Sequence, residues 1–202
     1  MHVERLAIDG AFVVTPRQRR DDRGVFLESY RADHLAQHLG HHPDVVQTNV
    51  SVSARGTVRG IHFADVPPGQ GKYVTALQGS LIDYVVDVRV GSPTFGRTEA
   101  VLLDTVDRRA VYLSEGLGHA FCALEDDTTV LYLCTTTYNP NAEHGIHPLD
   151  PAVGLALPAD LDPLLSPRDA AAPTLAEARA SGLLPTYAAC TAWARTLAQR
   201  RR

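Results

Sequence analysis

The chain has 202 residues, 45% hydrophobic and 21% charged, which excludes a disordered tail, a collagen-like chain and a disulfide-stapled miniprotein. Its 19 Lys and Arg against 23 Asp and Glu give a formal charge of -4, which speaks against a surface built to grip nucleic acid. Cys122, Cys134 and Cys190 lack CxxC spacing and read as unpaired thiols of a reducing compartment. There is no secretory leader pattern and no window of about 18 apolar residues, so a soluble, cytoplasmic protein that does not enter membranes is expected.

Turn chemistry punctuates the chain from about residue 7 to 155. It appears at Asp21-Asp22-Arg23-Gly24, Ala54-Arg55-Gly56, Pro67-Pro68-Gly69, Gln78-Gly79-Ser80, Gly91-Ser92-Pro93 and Glu115-Gly116. After a helix expected over Arg31–Leu39, runs rich in Val, Leu, Tyr and Thr predict strands at Val45–Val52, Lys72–Leu77, Leu81–Val88, Ala110–Leu113 and Thr129–Thr136. Short strands at this spacing imply an all-β antiparallel sandwich or barrel. An Ala/Asp/Pro/Leu-rich stretch, Pro158–Pro173, then leads to two helices. The first opens on the capping box Thr174-x-x-Glu177, and the second, Pro185–Arg202, has Pro185 at its first position. One domain, residues 1–202, with a helical segment at about 174–202, is expected.

His34, His38, His41 and His42 lie in a polar helix–loop region and read as solvated. His62 and His119 differ, each lying where a strand meets Gly-rich turns. Metal-binding barrels often take two ligands at i and i+2 of one strand. Here Phe63-Ala64 follows His62 and Ala120-Phe121 follows His119, which leaves hydrogen-bonded core histidines or metal-free acid–base chemistry as the stronger readings. Arg23, Arg59 and Lys72 face solvent by default, but with Glu28, Gln47, Asn49 and His62 they could line a polar cavity for an anion. No GxxxxGK[ST] or GxGxxG occurs. Tyr132 alternates with apolar neighbours, which suits a core aromatic or a proton donor beside a base.

Several runs in order resemble the dTDP-4-dehydrorhamnose 3,5-epimerase family of deoxysugar epimerases, within the cupin superfamily. They are Asp22–Glu28, Gln47–Ser53, Gly56–Phe63, Gly71–Val74, Asp87–Gly96, Gly116–Phe121, Tyr132, Tyr138-x4-Glu143 and Leu165–Asp169. The resemblance implies a cupin-type jelly-roll barrel with C-terminal helices, a homodimer, and a cofactor-free, metal-free inversion of carbon next to a ketone. By match to the family pattern, His62 is the base, Asp169 orients it, Tyr132 is the acid and Lys72 stabilises the enolate. Arg23, Phe26, Glu28, Gln47, Asn49, Arg59, His119, Glu143 and Arg168 would bind a dTDP-sugar, with Tyr138 stacking near the thymine.

Arg168 stands where Lys is commoner in the family, Ala120 where Gly is, Phe63 where Tyr is, and His147-Pro148-Leu149 where a Trp often follows. These departures resemble the branch that makes unusual deoxysugars for antibiotic decoration. They point slightly to inversion at C3, with C5 or both centres as alternatives. A non-catalytic sugar-nucleotide binder and a metal-dependent cupin are the readings from other classes.

Overall fold

A computed structural model describes residues 1–200 of the protein. It is mostly β: β1 (His2–Arg5), β2 (Ala11–Thr15), β3 (Arg19–Asp21), β4 (Gly24–Phe26), then helix α1 (Ala32–Leu39). The central strands are β5 (Gln47–Ser53), β6 (Val58–Ala64), β7 (Lys72–Gln78), β8 (Ser80–Val86), β9 (Thr98–Asp104) and β10 (Ala110–Leu113). They are followed by β11 (Gly118–Ala123), β12 (Thr128–Cys134) and β13 (Glu143–Gly145), then α2 (Pro167–Ala170), α3 (Leu175–Ala180) and α4 (Tyr187–Gln199).

The strands form a six-stranded sheet, β1-β2-β10-β7-β12-β5, and a five-stranded sheet, β13-β6-β11-β8-β9, with β3-β4 a separate hairpin. Every named pairing is antiparallel, and no edge pairing closes the two sheets into one barrel among the described residues. The inner core lies between the sheets, where Val74, Val111 and Val130 meet Leu81, Val85 and Phe121. This is the side-chain alternation of strands that each bury one face.

Both outer faces are partly covered. Val58, Phe63, Tyr84 and Ile146 on the five-stranded sheet pack against Leu175, Ala178 and Leu184 of the C-terminal segment. Phe12, Tyr73 and Tyr112 on the six-stranded sheet pack against Leu35 of α1. Beyond α1 that sheet is bare: Val50 is 60% and Val52 59% exposed on β5. No helix among the described residues is long and apolar enough to cross a membrane.

Thr174 caps α3 with the reciprocal Glu177 contacts expected of a capping box. The start of α4 differs from expectation, because its N-cap is Thr186, which accepts from the Ala189 N–H. Pro185 stays outside the helix because its carbonyl accepts from the Val90 N–H, while Tyr187 N–H donates to the Val90 carbonyl. The helix ends at Gln199, and the tail expected to reach Arg202 runs outside the described residues.

The run Asp87–Gly96 proves to be a structural knot. Asp87 is fully buried and accepts from Arg89 through Nε and Nη2 (2.8 Å each) and from the Ser92 and Thr94 hydroxyls. Burial pushes its carboxyl up, but these donors outweigh it and hold the group below its ordinary value. The Arg89 guanidinium also lies over the Tyr187 ring at 5.1 Å, tying α4 to the sheets.

Candidate active site

A cavity of about 230 Å³ opens between the sheets. The six-stranded sheet supplies Gln47, Asn49 and Ser51 from β5, Lys72 from β7, and Tyr132 and Cys134 from β12. The five-stranded sheet supplies Arg59 and His62 from β6, His119 and Phe121 from β11, and Glu143 from β13. Gln70 and Tyr138 come from loops.

Strand periodicity explains most of this lining. Gln47, Asn49 and Ser51 are every second residue of β5, and Tyr132 and Cys134 of β12, so each set shares a face. Arg59 and His62 are three apart and would point to opposite faces of a regular strand. Opposite them the register shifts: His119 pairs with His62 but Phe121 pairs with Arg59, so Gly60 and Ile61 of β6 stand against Ala120 alone on β11. Gly60 sits in that irregularity at φ +121°, and a Cβ there would lie 2.5 Å from the His119 carbonyl oxygen. Only glycine fits, and the result is that Arg59 and His62 both reach the cavity.

His62 Nε2 lies 2.7 Å from Oδ1 of the buried Asp169. Asp169 sits in the first turn of α2, and its backbone N–H donates to the N-cap Ser166. Burial raises the Asp169 carboxyl, but hydrogen bonds from His62, Ser166 and the Gly60 backbone win and keep it below the usual carboxylate value. An ionised carboxylate fixes the proton of neutral His62 on Nε2 and leaves Nδ1 as the basic nitrogen. His119 forms a second such pair, Nε2 to Asp83 Oδ2 at 2.6 Å, and is itself buried. The other oxygen of Asp83 has no hydrogen-bond partner.

Among the described residues Lys72 makes no ion pair or side-chain hydrogen bond. Desolvation pulls its ammonium pKa down, opposed by Cys134, Glu143 and Asp83. Tyr132 packs edge-on to His119 at 6.1 Å, and its hydroxyl meets Ser51 Oγ at 3.0 Å. Burial raises its phenol above the ordinary value. Arg59 is anchored by its Nε donating to Ser53 Oγ at 3.2 Å.

Nine of the residues singled out from sequence therefore line one cavity: Gln47, Asn49, Arg59, His62, Lys72, His119, Tyr132, Tyr138 and Glu143. Asp169 stands behind His62, and Arg168 is at the rim, donating to the Glu143 carbonyl. Arg23, Phe26 and Glu28 are elsewhere. Arg23 is 89% exposed and paired with Asp21, Phe26 is 68% exposed, and Glu28 pairs with Arg31. The expected cationic set of Arg23, Arg59, Lys72 and Arg168 thus reduces to Arg59 and Lys72 in the lining of this chain's cavity, with Arg23 exposed on its Asp21 pair and Arg168 engaged by the Glu143 carbonyl. Ser51, Phe121 and Cys134 also line it, and the i, i+2 spacing from Asn49, His119 and Tyr132 was the signal for them. Gln70, in a loop, carries no such signal.

The family model described as dTDP-4-dehydrorhamnose 3,5-epimerase matches residues 5–177. The chain belongs to that family. A dTDP-4-dehydrorhamnose 3,5-epimerase of Mycolicibacterium smegmatis is 53% identical over 197 residues, covering 98% of this chain and 97% of the relative. The structure of NovW, a 4-keto-6-deoxy sugar epimerase from the novobiocin gene cluster of Streptomyces spheroides, superposes with a TM-score of 0.92. It is 57% identical and covers 94% of this chain and 95% of that one. ChmJ, a 3'-monoepimerase from Streptomyces bikiniensis in complex with dTDP-quinovose, gives a TM-score of 0.93 at 49% identity, covering 96% and 98%. Within this dTDP-sugar epimerase family member, the Asp87–Gly96 run serves the fold, and the Gln47–Ser53, Gly56–Phe63 and Gly116–Phe121 runs build the cavity.

Proposed function

We propose that the chain is a cofactor-free epimerase of a dTDP-4-keto-6-deoxyhexose, inverting C3, with C5 or both centres as the alternatives. The observation that carries this is that His62 and Tyr132 line one cavity from facing sheets, so a sugar ring between them turns one face to each. The C4 ketone acidifies the adjacent C–H. His62 Nδ1 takes that proton, and the C–H electron pair becomes the enolate, its oxygen charge facing the unpaired Lys72 ammonium. Asp169 holds the imidazole and stabilises its cation. Tyr132 returns a proton to the opposite face, and the C4 carbonyl reforms with inverted configuration.

Gln47, Asn49, Arg59, His119 and Glu143 would hold the nucleotide-sugar, with Arg168 at the rim and the exposed Tyr138 ring free to stack on the base. We read the two sheets as an open cupin-type jelly roll and residues 1–202 as one epimerase domain. Kinship with an enzyme of the novobiocin cluster supports a deoxysugar destined for antibiotic decoration. In deuterated water, dTDP-4-keto-6-deoxyglucose should gain deuterium at C3, and at C5 only if both centres react. Absence of exchange at both would sink the reading.

The working unit on this reading is a homodimer. Two observations support it: the bare Val50–Val52 stripe, and the exposed Arg23, Phe26 and Glu28, which a second copy brings to a cavity that this chain's own fold does not let them reach. An inactive His62→Ala chain mixed and refolded with an inactive Arg23→Ala chain should then regain about a quarter of wild-type activity, since half the dimers carry one intact site. No regain over the two separate variants would exclude a shared site.

A further inference from the structure

Among the described residues the hydroxyl of the proposed acid, Tyr132, has a single hydrogen-bond partner. That hydroxyl lies 3.0 Å from Ser51 Oγ, and Ser51 has no other side-chain partner among the described residues. Ser51 faces Val130 across the β5–β12 ladder while Tyr132 faces Asn49, so the two are diagonal neighbours on the cavity face. The pairing leaves two arrangements of the hydroxyl protons. If Tyr132 donated to Ser51, its only proton would point along the sheet and away from a sugar ring.

We propose that Ser51 is a positioning residue for Tyr132: its hydroxyl donates to the phenol oxygen, frees the phenol proton to point into the cavity, and holds the tyrosinate left after proton transfer. This rests on the reading of Tyr132 as the acid. In the step concerned, the enolate carbon takes the Tyr132 proton and the C4–O carbonyl reforms. The phenol oxygen keeps the O–H electron pair until solvent returns a proton. A tyrosinate can only accept, so from that moment Ser51 can only donate. Burial makes the tyrosinate costly at this position, with Arg59 the one cation offsetting it and Asp83 and Cys134 opposing, so a fixed neutral donor has a definite task.

The test separates removal of a proton from its return. Full-length wild type, Ser51→Ala, Ser51→Thr and Tyr132→Phe are incubated with dTDP-4-keto-6-deoxyglucose in deuterated water. Deuterium uptake next to the ketone and the yield of inverted sugar are followed separately. Ser51→Ala should slow inversion about tenfold or more while exchange, which uses His62 and its supports but not the Tyr132 proton, stays within about twofold. Ser51→Thr, which keeps the hydroxyl, should recover most of the inversion. Inversion unchanged in Ser51→Ala, equal loss of exchange and inversion, or no recovery in Ser51→Thr would each overturn the proposal. Tyr132→Phe keeps the two failures apart. If it inverts normally, the acid assignment falls and Ser51 with it; if it blocks inversion while Ser51→Ala does not slow it, only the role of Ser51 falls.

Discussion

Asp169→Asn removes the charge behind the base while keeping the side chain's size, although the amide replaces one of the oxygens that share the Ser166 and Gly60 hydrogen bonds. The helix cap survives, because Ser166 accepts from the backbone N–H of residue 169 and not from its side chain. Asn is nearly isosteric and the site is buried, so packing is kept. What disappears is a 2.7 Å charge-assisted hydrogen bond to His62 and the carboxylate that stabilises the imidazolium formed when the substrate C–H is broken. A buried hydrogen bond to a charged group contributes about 1.5–3 kcal/mol. At about 1.4 kcal/mol per decade this predicts a kcat lower by about 10- to 150-fold. Asp169 does not line the cavity, so KM should stay within about twofold. The measurement is the initial rate of deuterium uptake next to the ketone at saturating dTDP-4-keto-6-deoxyglucose, with thermal unfolding as a control. A kcat lowered by less than about threefold, or a loss appearing mainly in KM, would refute the orienting role.

Asp87→Ala leaves the Arg89 guanidinium buried without its carboxylate, which costs about 3–5 kcal/mol and lowers Tm by roughly 6–20 °C. Because the folded Asp87 carboxyl titrates below its ordinary 3.8, its contribution is complete above that pH and lost as pH falls through the lowered value, so the variant should show a flatter acid limb of stability than wild type. Gly60→Ala drives a Cβ to 2.5 Å from the His119 carbonyl at a φ of +121°. It should cost about 2–4 kcal/mol by denaturant unfolding and lower kcat/KM as well, since Arg59 and His62 lose their shared aim. Lys72→Met removes the proposed enolate donor and should lower kcat about 100- to 1000-fold in the exchange assay, yet leave Tm unchanged or higher, because an unpaired, desolvated cation is relieved.

Those effects fall on residues that were unequally visible before the fold. β5, β7, β8, β10 and β12 are legible within a few residues because β-branched and aromatic side chains alternate between turns. β11 is not. All six of its residues are buried and three are Gly or Ala, so it has neither alternation nor bulk, and His119 reads as a strand end when it is a mid-sheet residue. β6 hides for a related reason: Gly60 and the register shift break its period at the point where the site needs Arg59 and His62 together. Nothing local in the sequence encodes that shift, because it depends on the spacing of residues in a strand 60 positions away, Phe121 against Arg59 and His119 against His62. The Ser51 contact sits between these extremes. Its face follows from the period of β5, while its partner follows only from the pairing with β12.

Charge shows the same division between what a chain's totals and its packing can say. A formal charge of -4 speaks against a surface for a polymer of phosphates but leaves one diphosphate undecided, because a bound anion feels the groups that line its cleft. Those groups are now countable. Arg59 and Lys72 face the cavity, and Glu143 faces it with the opposite sign. One chain thus offers a nearly neutral lining to a doubly charged linkage, with Lys72 reserved on this mechanism for the enolate. On the proposed shared site, Arg23 is the cation that would complete that balance. It lies at the turn of the β3-β4 hairpin, which also carries the exposed Phe26, and among the described residues its side chain is held only by Asp21, an exposed pair that contributes little and gives way easily to a phosphate. The electrostatic shortfall inside and the unused cation outside are accounted for together if the hairpin of one copy completes the cavity of another.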